Sequence, residues 1–500
     1  MKIKNMKNMK KYILILSVIG GTLLMTACTD WLDMRPHNYL DTETAISTVE
    51  EGRTAVLGGY ERLRGATFYG RNVFVCGDAG SQDLALRTDN SSRYINQYRW
   101  NIQSGDAFGG EMWAAAYSAI NRVNEVIRVL PTKVSQSAAR DQVLGEAYFI
   151  RALCHYELVK FFGQAYNYPE ASDIKGGIPY ITTPTMLNNH GRETKASNFE
   201  NIIDDLTTAL ELMSVDRHGL EPYIVGSDAV KALLARVYLY MACTNGTSYF
   251  TEAAKYAEQV IEGGNYKLAT PAQYRITANA DNTEFTSELW GDRYGVETIF
   301  AFPTNSTERN ATNSLGNIYL DKKKGYGDLV VTEEFVDLFE PGDVRQTMIY
   351  LFDDANEHWC VGKHMGNGKA GGWDLAYTKI FRVAEMYLIS AEANARTGNQ
   401  AQALKRINEL RAQRGLTDLP TATIDAILKE RRLELCFEGH ALADHKRLNT
   451  SIVRGVDEGN PEHQNLGLVY PNDKFAYPIP EGELTVNHHE DMKQNPGYGL

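Results

Sequence analysis

Apolar residues recur at helical spacing over most of this 500-residue chain, and this pattern constrains its fold more than any other feature. The segments that carry it are Trp113–Leu130, Val143–Phe162, Phe199–Met213, Asp228–Met241, Thr251–Ile261, Arg382–Thr397, Ala401–Arg411 and Thr423–Glu438. In the second segment Ala147, Ile150 and Cys154 fall on one buried stripe. The sequence therefore predicts a mainly α-helical protein.

Two of these segments form a pair that is typical of tetratricopeptide repeats. They are joined by Gly398-Asn399, and their small and apolar residues keep the repeat spacing: Tyr387, Ala391, Ala403, Ile407 and Leu410. A looser copy combines the helix around Ala232 with Ala253, Ala257 and Val260. Several such hairpins are predicted to stack into a helical scaffold.

The stretch from Asn265 to Thr332 has a different pattern. Short β-like pieces such as Thr298–Phe302 stand among Asn, Thr, Gly and Tyr residues. Long loops with aromatic side chains are usually functional in a compact protein. This stretch is predicted to be a loop-rich subregion, and Gly362–Gly372 and Arg454–Asp473 are predicted to be further loops.

The N-terminus has the pattern of a signal peptide. Residues 1–12 are basic, Ile13–Met25 is apolar, and Thr26-Ala27 precede Cys28. An apolar helix of this length spans roughly 20 Å, less than the roughly 30 Å of a bilayer core. The leader, predicted to end at residue 27, resembles a bacterial lipoprotein signal. In that class the thiol, here Cys28, carries the lipid that anchors the mature protein to a membrane.

Cysteine usage and charge exclude other classes. The remaining cysteines are odd in number and several lie in apolar helical segments, so they are predicted to be buried free thiols: Cys76, Cys154, Cys243, Cys360 and Cys436. No zinc-ligand spacing is present, and neither a metal nor a cofactor is predicted. The formal net charge is −12, and Lys322–Lys324 is too short a basic run for nucleic-acid binding.

A set of motifs runs through the chain in order and carries a family resemblance. The motifs are Cys28-Thr-Asp-Trp-Leu-Asp, Trp113-x3-Tyr117-x2-Ile120-x3-Asn124, Glu146-Ala147-x3-Ile150-Arg151-Ala152, Arg382-x-Ala384-Glu385-Met386-Tyr387-Leu388, Glu430-Arg431-Arg432-x-Glu434-Leu435-x-Phe437-Glu438-Gly439-His440, Tyr477-Pro478-Ile479-Pro480 and Asn495-Pro496-Gly497-Tyr498. Together they resemble the SusD/RagB family. The resemblance implies one SusD-like unit over residues 28–500, with an N-terminal part of about 28–215 and a C-terminal part of about 216–500.

The resemblance also implies a function and partners. Members of this family are surface-exposed lipoproteins of the outer membrane that bind a glycan and sit as a lid on a SusC-like TonB-dependent transporter. The expected partners are therefore a glycan, that transporter and the membrane that holds the lipid. With 28 Tyr, the chain has aromatic side chains to spare for stacking on sugar rings.

In the family, the ligand surface is built from loops outside the helical scaffold. Here those loops are Asp78–Trp100 and Thr304–Leu329. The residues that they offer as glycan-binding candidates are Asp83, Arg87, Asn90, Arg93 and Tyr94 from the first loop and Asn317, Tyr319 and Tyr326 from the second. Trp100 fits the core as well as it fits a ligand contact.

Two other functions remain open. A peptide-binding relative of the same uptake type would need strand-like edges in place of stacked aromatic rings. A glycan hydrolase would need a pair of carboxylates at a fixed separation, and adjacent acids such as Asp204-Asp205 do not single one out.

Three further patterns have structural interpretations. Gly366-x-Gly368-x-x-Gly371 matches a dinucleotide fingerprint only by letter, since no βαβ unit follows, and a loop is predicted instead. His440 and Asp444 have metal-compatible spacing, but an ion-pairing role is favoured. The closely spaced Glu and Arg residues of Glu430–Glu438 predict a buried ion-pair network.

Overall fold

The computed structural model describes residues 45–170, 173–184, 189–213, 223–242, 247–280, 283–352, 358–455 and 467–499. The chain from Ser47 onward forms one compact unit. The predicted leader, Cys28 and Cys243 lie outside the described residues. The division near residue 215 stays a prediction.

Helices dominate the described chain. They are Val49–Arg64 (α1), Asn72–Asp78 (α2), Ile95–Tyr98 (α3), Ala107–Lys133 (α4), Ala138–Phe162 (α5), Lys195–Leu212 (α6), Ser227–Ala242 (α7), Thr247–Glu262 (α8), Pro271–Tyr274 (α9), Leu315–Tyr319 (α10), Glu333–Val336 (α11), Val383–Arg396 (α12), Gln400–Ala412 (α13), Ile424–Leu435 (α14), Ala441–Leu448 (α15) and Glu481–Val486 (α16). Short 3-10 helices lie at Ala311–Asn313, Val344–Met348 and Asp473–Phe475.

The helices predicted from apolar spacing are confirmed as α4 to α8 and α12 to α14. Polar caps fix where several of them begin. The side chains of Asp106, Ser137 and Thr194 accept hydrogen bonds from backbone N–H groups in the first turns of α4, α5 and α6. These groups would otherwise lack a partner, and the caps stabilise each helix start.

Consecutive helices pack against one another and form the scaffold. The pairs with extensive contact include α4 with α5, α5 with α6, α7 with α8, and α12 with α13. Between α12 and α13 the buried residues are those of the repeat spacing, among them Ala391, Ala403, Ile407 and Leu410. Ala391 and Ala403 are small and let the two helices approach closely. The pairing of the helices is confirmed, and the tetratricopeptide character of the pair stays a prediction.

The strands are short and lie mostly in the middle of the chain. They are Leu84–Leu86 (β1), Thr277–Ala278 (β2), Phe285–Thr286 (β3), Thr298–Phe302 (β4), Leu329–Val331 (β5), Ile349–Phe352 (β6), His358–Val361 (β7) and Thr378–Arg382 (β8). A four-stranded antiparallel sheet has the order β1-β5-β7-β6, and β2 pairs with β3 and β4 with β8. The β-like piece predicted at Thr298–Phe302 is confirmed.

A buried ion-pair network lies in the C-terminal half. Arg382, at the end of β8, contacts the carboxylates of Glu297 at 2.6 Å, Glu434 at 3.0 Å and Glu438 at 2.6 Å. Arg414 reaches Glu297 and Glu434, each at 2.8 Å. Burial opposes the ionisation of Glu434, yet Arg414 and then Arg382 hold its pKa well below the usual value. The network predicted from Glu430–Glu438 is confirmed.

Other sequence predictions also have clear outcomes. Cys76, Cys154, Cys360 and Cys436 are buried free thiols, as predicted. Trp100 belongs to the core: its ring packs on Phe475 and its indole N–H donates to the carbonyl of Gly80 at 3.1 Å. Within the described ranges, no helix combines the length and the apolar character needed to cross a bilayer.

Candidate ligand-binding surface

The two candidate loops meet because their strands are neighbours in one sheet. Leu86, at the end of β1, pairs with Leu329, at the start of β5. The loop of residues 87–94 therefore leaves the sheet where the loop of residues 320–328 enters it. These two loops are called the β1 loop and the β5 loop below.

Several polar contacts hold the two loops together. The backbone N–H and the hydroxyl of Ser91 each donate to the Asp328 carboxylate at 2.6 Å. The ammonium of Lys322 pairs with the Asp89 carboxylate and donates to the Asp89 carbonyl at 2.7 Å. Two segments more than two hundred residues apart thus form one surface.

Arg93 and Tyr326 form the centre of that surface. The guanidinium carbon of Arg93 lies 3.9 Å from the centroid of the Tyr326 ring, within the range of a cation–π contact. Arg93 Nη1 also donates to Ser91 Oγ at 2.7 Å. Both side chains are partly exposed. The surface therefore presents an aromatic ring and a guanidinium group to solvent.

Two partly exposed amides shape the loops. Asn90 donates to the Arg87 carbonyl at 2.6 Å, and its side-chain oxygen accepts from the Ser92 N–H at 2.7 Å. The side-chain amide of Asn317 donates to the Ala311 carbonyl at 2.9 Å, and the backbone carbonyl of Asn317 accepts from the Tyr326 N–H. These amides fix the backbone on either side of Arg93 and Tyr326.

The other candidates are buried beneath the surface. Asp83 is 6% exposed and pairs with Arg432, and Arg87 is 3% exposed and donates to Asp89 at 3.1 Å. Tyr94 and Tyr319 are 1% and 0% exposed. In this structure these four side chains contact the protein and support the loops; as ligand contacts they remain predictions.

The two buried tyrosines differ in the hydrogen bonding of their hydroxyl groups. The Tyr94 ring stacks on Phe108 with centroids 4.2 Å apart, and its hydroxyl donates to Asn72 at 2.9 Å. The Tyr319 ring lies among His364 and Phe437, and its hydroxyl has no hydrogen-bond partner among the residues that the structure describes. Burial raises the pKa of both hydroxyl groups.

An aromatic strip on β6 extends the surface beyond the predicted residues. Tyr350 and Phe352 are partly exposed on one face of the sheet, and the β5 loop folds over them. The Tyr350 hydroxyl donates to Asp321 at 2.7 Å, and the Lys323 ammonium lies 5.3 Å from the Phe352 ring. Ile349–Phe352 is a short continuous apolar run with two aromatic residues, and this run is the signal that could have found the strand.

An open groove lies next to Tyr350. Its volume is about 460 Å³, and its lining includes Phe285, Glu288, Arg293 and Lys369. The Phe285 ring packs on Tyr350 with centroids 5.2 Å apart, which connects the groove to the strip.

The carboxylates of the two loops are occupied by cations and hydroxyl groups. Arg87, followed by Lys322, lowers the pKa of Asp89 to about 2. Asp321 pairs with Lys324 and accepts from Tyr350. Acid catalysis of glycoside cleavage needs a carboxyl group that keeps its proton near neutral pH, and Asp89 does not meet that condition.

The carboxyl group of Asp78 does have a pKa near neutral pH, but it has no access to solvent. Burial raises its pKa to about 7, against backbone N–H donation from Gly439 at 2.7 Å and Ala441 at 3.1 Å. Its exposure is 3%. The hydrogen bonds of Asp78 therefore connect the turn after α14 to the end of α2.

The remaining sequence patterns have structural roles. Gly366, Gly368 and Gly371 all have positive φ in a loop, and the Gly368 carbonyl accepts from the Phe285 N–H. Asp444 is held by Arg431 at 2.8 Å and by Arg447 at 2.7 Å. No group of three His, Cys, Asp or Glu side chains in the described ranges could hold a metal ion.

Two family models match separate parts of the chain. Residues 353–498 match the SusD family, and residues 30–239 match a SusD-like family described as starch-binding associating with outer membrane. The second match includes α1 to α6, and the first includes α12 to α16 with Arg382, Arg414, Glu434 and Glu438 of the ion-pair network. Residues 240–352 lie between the two matches.

Individual proteins are similar over nearly the whole chain. SusD-like protein P2 from Formosa agariphila is 23% identical over 98% of this chain and 100% of its own length. A SusD superfamily protein from Bacteroides vulgatus has a TM-score of 0.78 at 25% identity, covering 91% of this chain and 100% of that one. One from Bacteroides thetaiotaomicron also reaches 0.78 at 24% identity, covering 90% and 100%.

Proposed function

Because the chain belongs to the SusD/RagB family, we propose that it is a cell-surface lipoprotein of the outer membrane that captures a glycan and delivers it to a SusC-like TonB-dependent transporter. The family description of residues 30–239 supports both parts of the binding role, because it names starch binding and association with the outer membrane. The proposed activity is binding without bond cleavage.

The contact between Arg93 and Tyr326 carries the glycan proposal. A sugar ring has an apolar face that packs on an aromatic ring and a rim of hydroxyl groups that hydrogen-bond to polar side chains. The β1 and β5 loops offer both kinds of group at one partly exposed place. Tyr350 and Phe352 add aromatic area on the neighbouring strand, and Tyr350 contacts Phe285 of the groove.

The occupied carboxylates favour binding over hydrolysis. Asp89, Asp321 and Asp328 each pair with a neighbouring side chain in the two loops. A retaining or inverting hydrolase needs one carboxylate free to act on the sugar and a second as acid. The arrangement supports a surface that holds its ligand intact.

Delivery of the glycan to the transporter would depend on the anchoring of the protein to the membrane. A lipid on Cys28 would hold the protein at the membrane, and the helical scaffold would pack on the transporter. A ligand bound at the loops would then stay beside the pore at a high effective concentration and enter as the lid closes.

The test is calorimetric binding of the full-length chain in detergent to a panel of plant, host and microbial polysaccharides and to short peptides, with product analysis of the same mixtures. We expect saturable binding to a glycan and its recovery intact. Binding to peptides alone would replace the glycan by a peptide ligand. New products would overturn the proposal that the protein is not an enzyme.

Deletion of the transporter tests delivery. Glycan binding by cells should persist while uptake stops. Loss of both from cells that still display the folded protein would contradict the proposed division of labour.

A further inference from the structure

Arg93 has donors that the protein does not use. Its Nη1 donates to Ser91 Oγ, and one face of its guanidinium lies on the Tyr326 ring. Across the described ranges, no carboxylate lies within ion-pair distance of Arg93. Its remaining N–H groups therefore stay available on a partly exposed side chain.

The other cations of the two loops differ from Arg93. Arg87 and Lys322 share the Asp89 carboxylate, and Lys324 pairs with Asp321. Lys323 lies over the Phe352 ring. Since Asp353 and Asp354 follow Phe352 in the sequence, outside the described residues, Arg93 carries the inference and Lys323 does not.

The local charge is opposite to that of the whole chain. Apart from Lys323, the β1 and β5 loops contain the cations Arg87, Arg93, Lys322 and Lys324 and the anions Asp89, Asp321 and Asp328, an excess of one positive charge (four minus three). This local excess of positive charge stands in a chain whose formal net charge is −12. A positive patch on a negative protein attracts an anionic ligand to that patch.

The chemistry of a stacked guanidinium narrows the ligand further. The planar fork of arginine matches a carboxylate or a sulfate group with two parallel hydrogen bonds. The contact with Tyr326 and the hydrogen bond to Ser91 hold the guanidinium before the ligand arrives, so less side-chain entropy is lost on binding. A neutral sugar would leave this charged group without a counter-charge.

Building on the proposed function, we infer that the ligand is an acidic glycan, bearing uronate or sulfate groups, and that Arg93 is the residue that recognises those groups. Tyr326 supports the sugar face and holds the guanidinium. The guanidinium carbon lies 3.9 Å from the ring centroid and covers one ring face, so a sugar would pack on the other face, beside the charge.

The experiment compares matched polysaccharides that differ in charge. Polygalacturonate is compared with its methyl-esterified form, and κ-carrageenan with agarose, by affinity electrophoresis and calorimetry on the full-length chain in detergent. We expect at least one acidic polysaccharide to bind about tenfold more tightly than its neutral counterpart, with affinity that falls as salt rises. Preference within the first pair assigns a uronate, and preference within the second assigns a sulfate ester.

Variants assign the effect to Arg93. Arg93→Gln should weaken binding of the acidic polysaccharide about tenfold, because charged hydrogen bonds are lost. Arg93→Lys should recover part of the affinity, since the charge remains but the fork does not. The matched control is Arg128→Gln, which removes a charge that is paired with Glu125 on α4; it should leave the affinity unchanged.

The outcomes separate the two proposals. Equal binding of acidic and neutral polysaccharides, or unchanged affinity in Arg93→Gln, would overturn the acidic ligand and leave glycan binding intact. Binding to peptides, with no binding to any polysaccharide of either pair or of the wider panel, would overturn the proposed function itself.

Discussion

Arg382 and Arg93 show two uses of the same side chain in one protein. Arg382 is 1% exposed and contacts three carboxylates from two parts of the chain, Glu297 before β4 and Glu434 and Glu438 around the end of α14. Arg93 is partly exposed, contacts a hydroxyl and an aromatic ring, and has no carboxylate partner among the described residues. The difference teaches that an arginine whose donors are all paired has a structural role, whereas the binding role proposed for Arg93 rests on donors that the described residues leave open.

The largest effect should come from breaking the network at Arg382. Arg382→Met would leave Glu297, Glu434 and Glu438 buried with one cation fewer, and we expect unfolding to become easier by about 3–5 kcal/mol. Urea denaturation followed by circular dichroism measures this change. Arg128→Met, which breaks the exposed pair with Glu125, should cost less than about 1 kcal/mol. Similar losses in both variants would contradict the comparison.

Acid should weaken the same network. Burial opposes the ionised form of Glu438, but Arg382 and then Lys363 hold its pKa at about 2. Between that pH and the ordinary value of 4.5, the unfolded chain binds a proton that the folded chain does not. The free energy of unfolding should therefore decrease by about 3 kcal/mol as the pH falls from about 5 to 2. Denaturation curves in Glu438→Gln should lose part of this pH dependence.

Tyr326→Ala tests the candidate surface formed by the β1 and β5 loops. Because Tyr326 is partly exposed, its removal should change the stability of the fold by less than about 0.5 kcal/mol. Affinity for the glycan should fall about tenfold, since the stacking face and the support of Arg93 are lost together. Calorimetry and denaturation on the same preparation separate the two effects. A large loss of stability with unchanged affinity would make Tyr326 a structural residue.

The smallest effects should come from the two buried tyrosines, and they should have opposite signs. Tyr94→Phe removes the hydrogen bond to Asn72 and should cost about 1 kcal/mol. Tyr319→Phe removes a buried hydroxyl for which the described residues offer no partner, and it should stabilise the fold by up to about 1 kcal/mol. Thermal unfolding of the two variants checks the sign, and destabilisation by both would contradict this assignment.

The long helices could be predicted from sequence because their signal is local. Apolar residues three and four apart define one face, and the scaffold helices follow it. The helix α1 was not predicted, since Gly52, Gly58 and Gly59 dilute the apolar pattern. A Cβ on Gly52 would lie 3.1 Å from Leu130, so close packing on α4 explains this glycine. The capping box of Thr48 and Glu51 was the available signal.

The candidate surface could be predicted only by region. Both loops were located from the family resemblance, and they do meet. Which side chains face solvent depends on the pairing of β1 with β5, two three-residue strands more than two hundred residues apart, and no local pattern encodes that pairing. Tyr94 follows Asn90, Ser91 and Ser92 in the β1 loop and Tyr326 stands between two glycines in the β5 loop, and the first is buried whereas the second is partly exposed.

The sharing of Glu434 among three arginines has an evolutionary consequence. Arg345, Arg382 and Arg414 all contact this carboxylate, at 3.8, 3.0 and 2.8 Å. Any single replacement there leaves a buried charge uncompensated, so viable sequences are separated by several simultaneous changes. Arg93 contacts one aromatic ring at the surface of the protein, so it can be replaced without a compensating mutation. A lineage built on this scaffold can therefore reach new ligands by single mutational steps in its loops while its interior stays fixed.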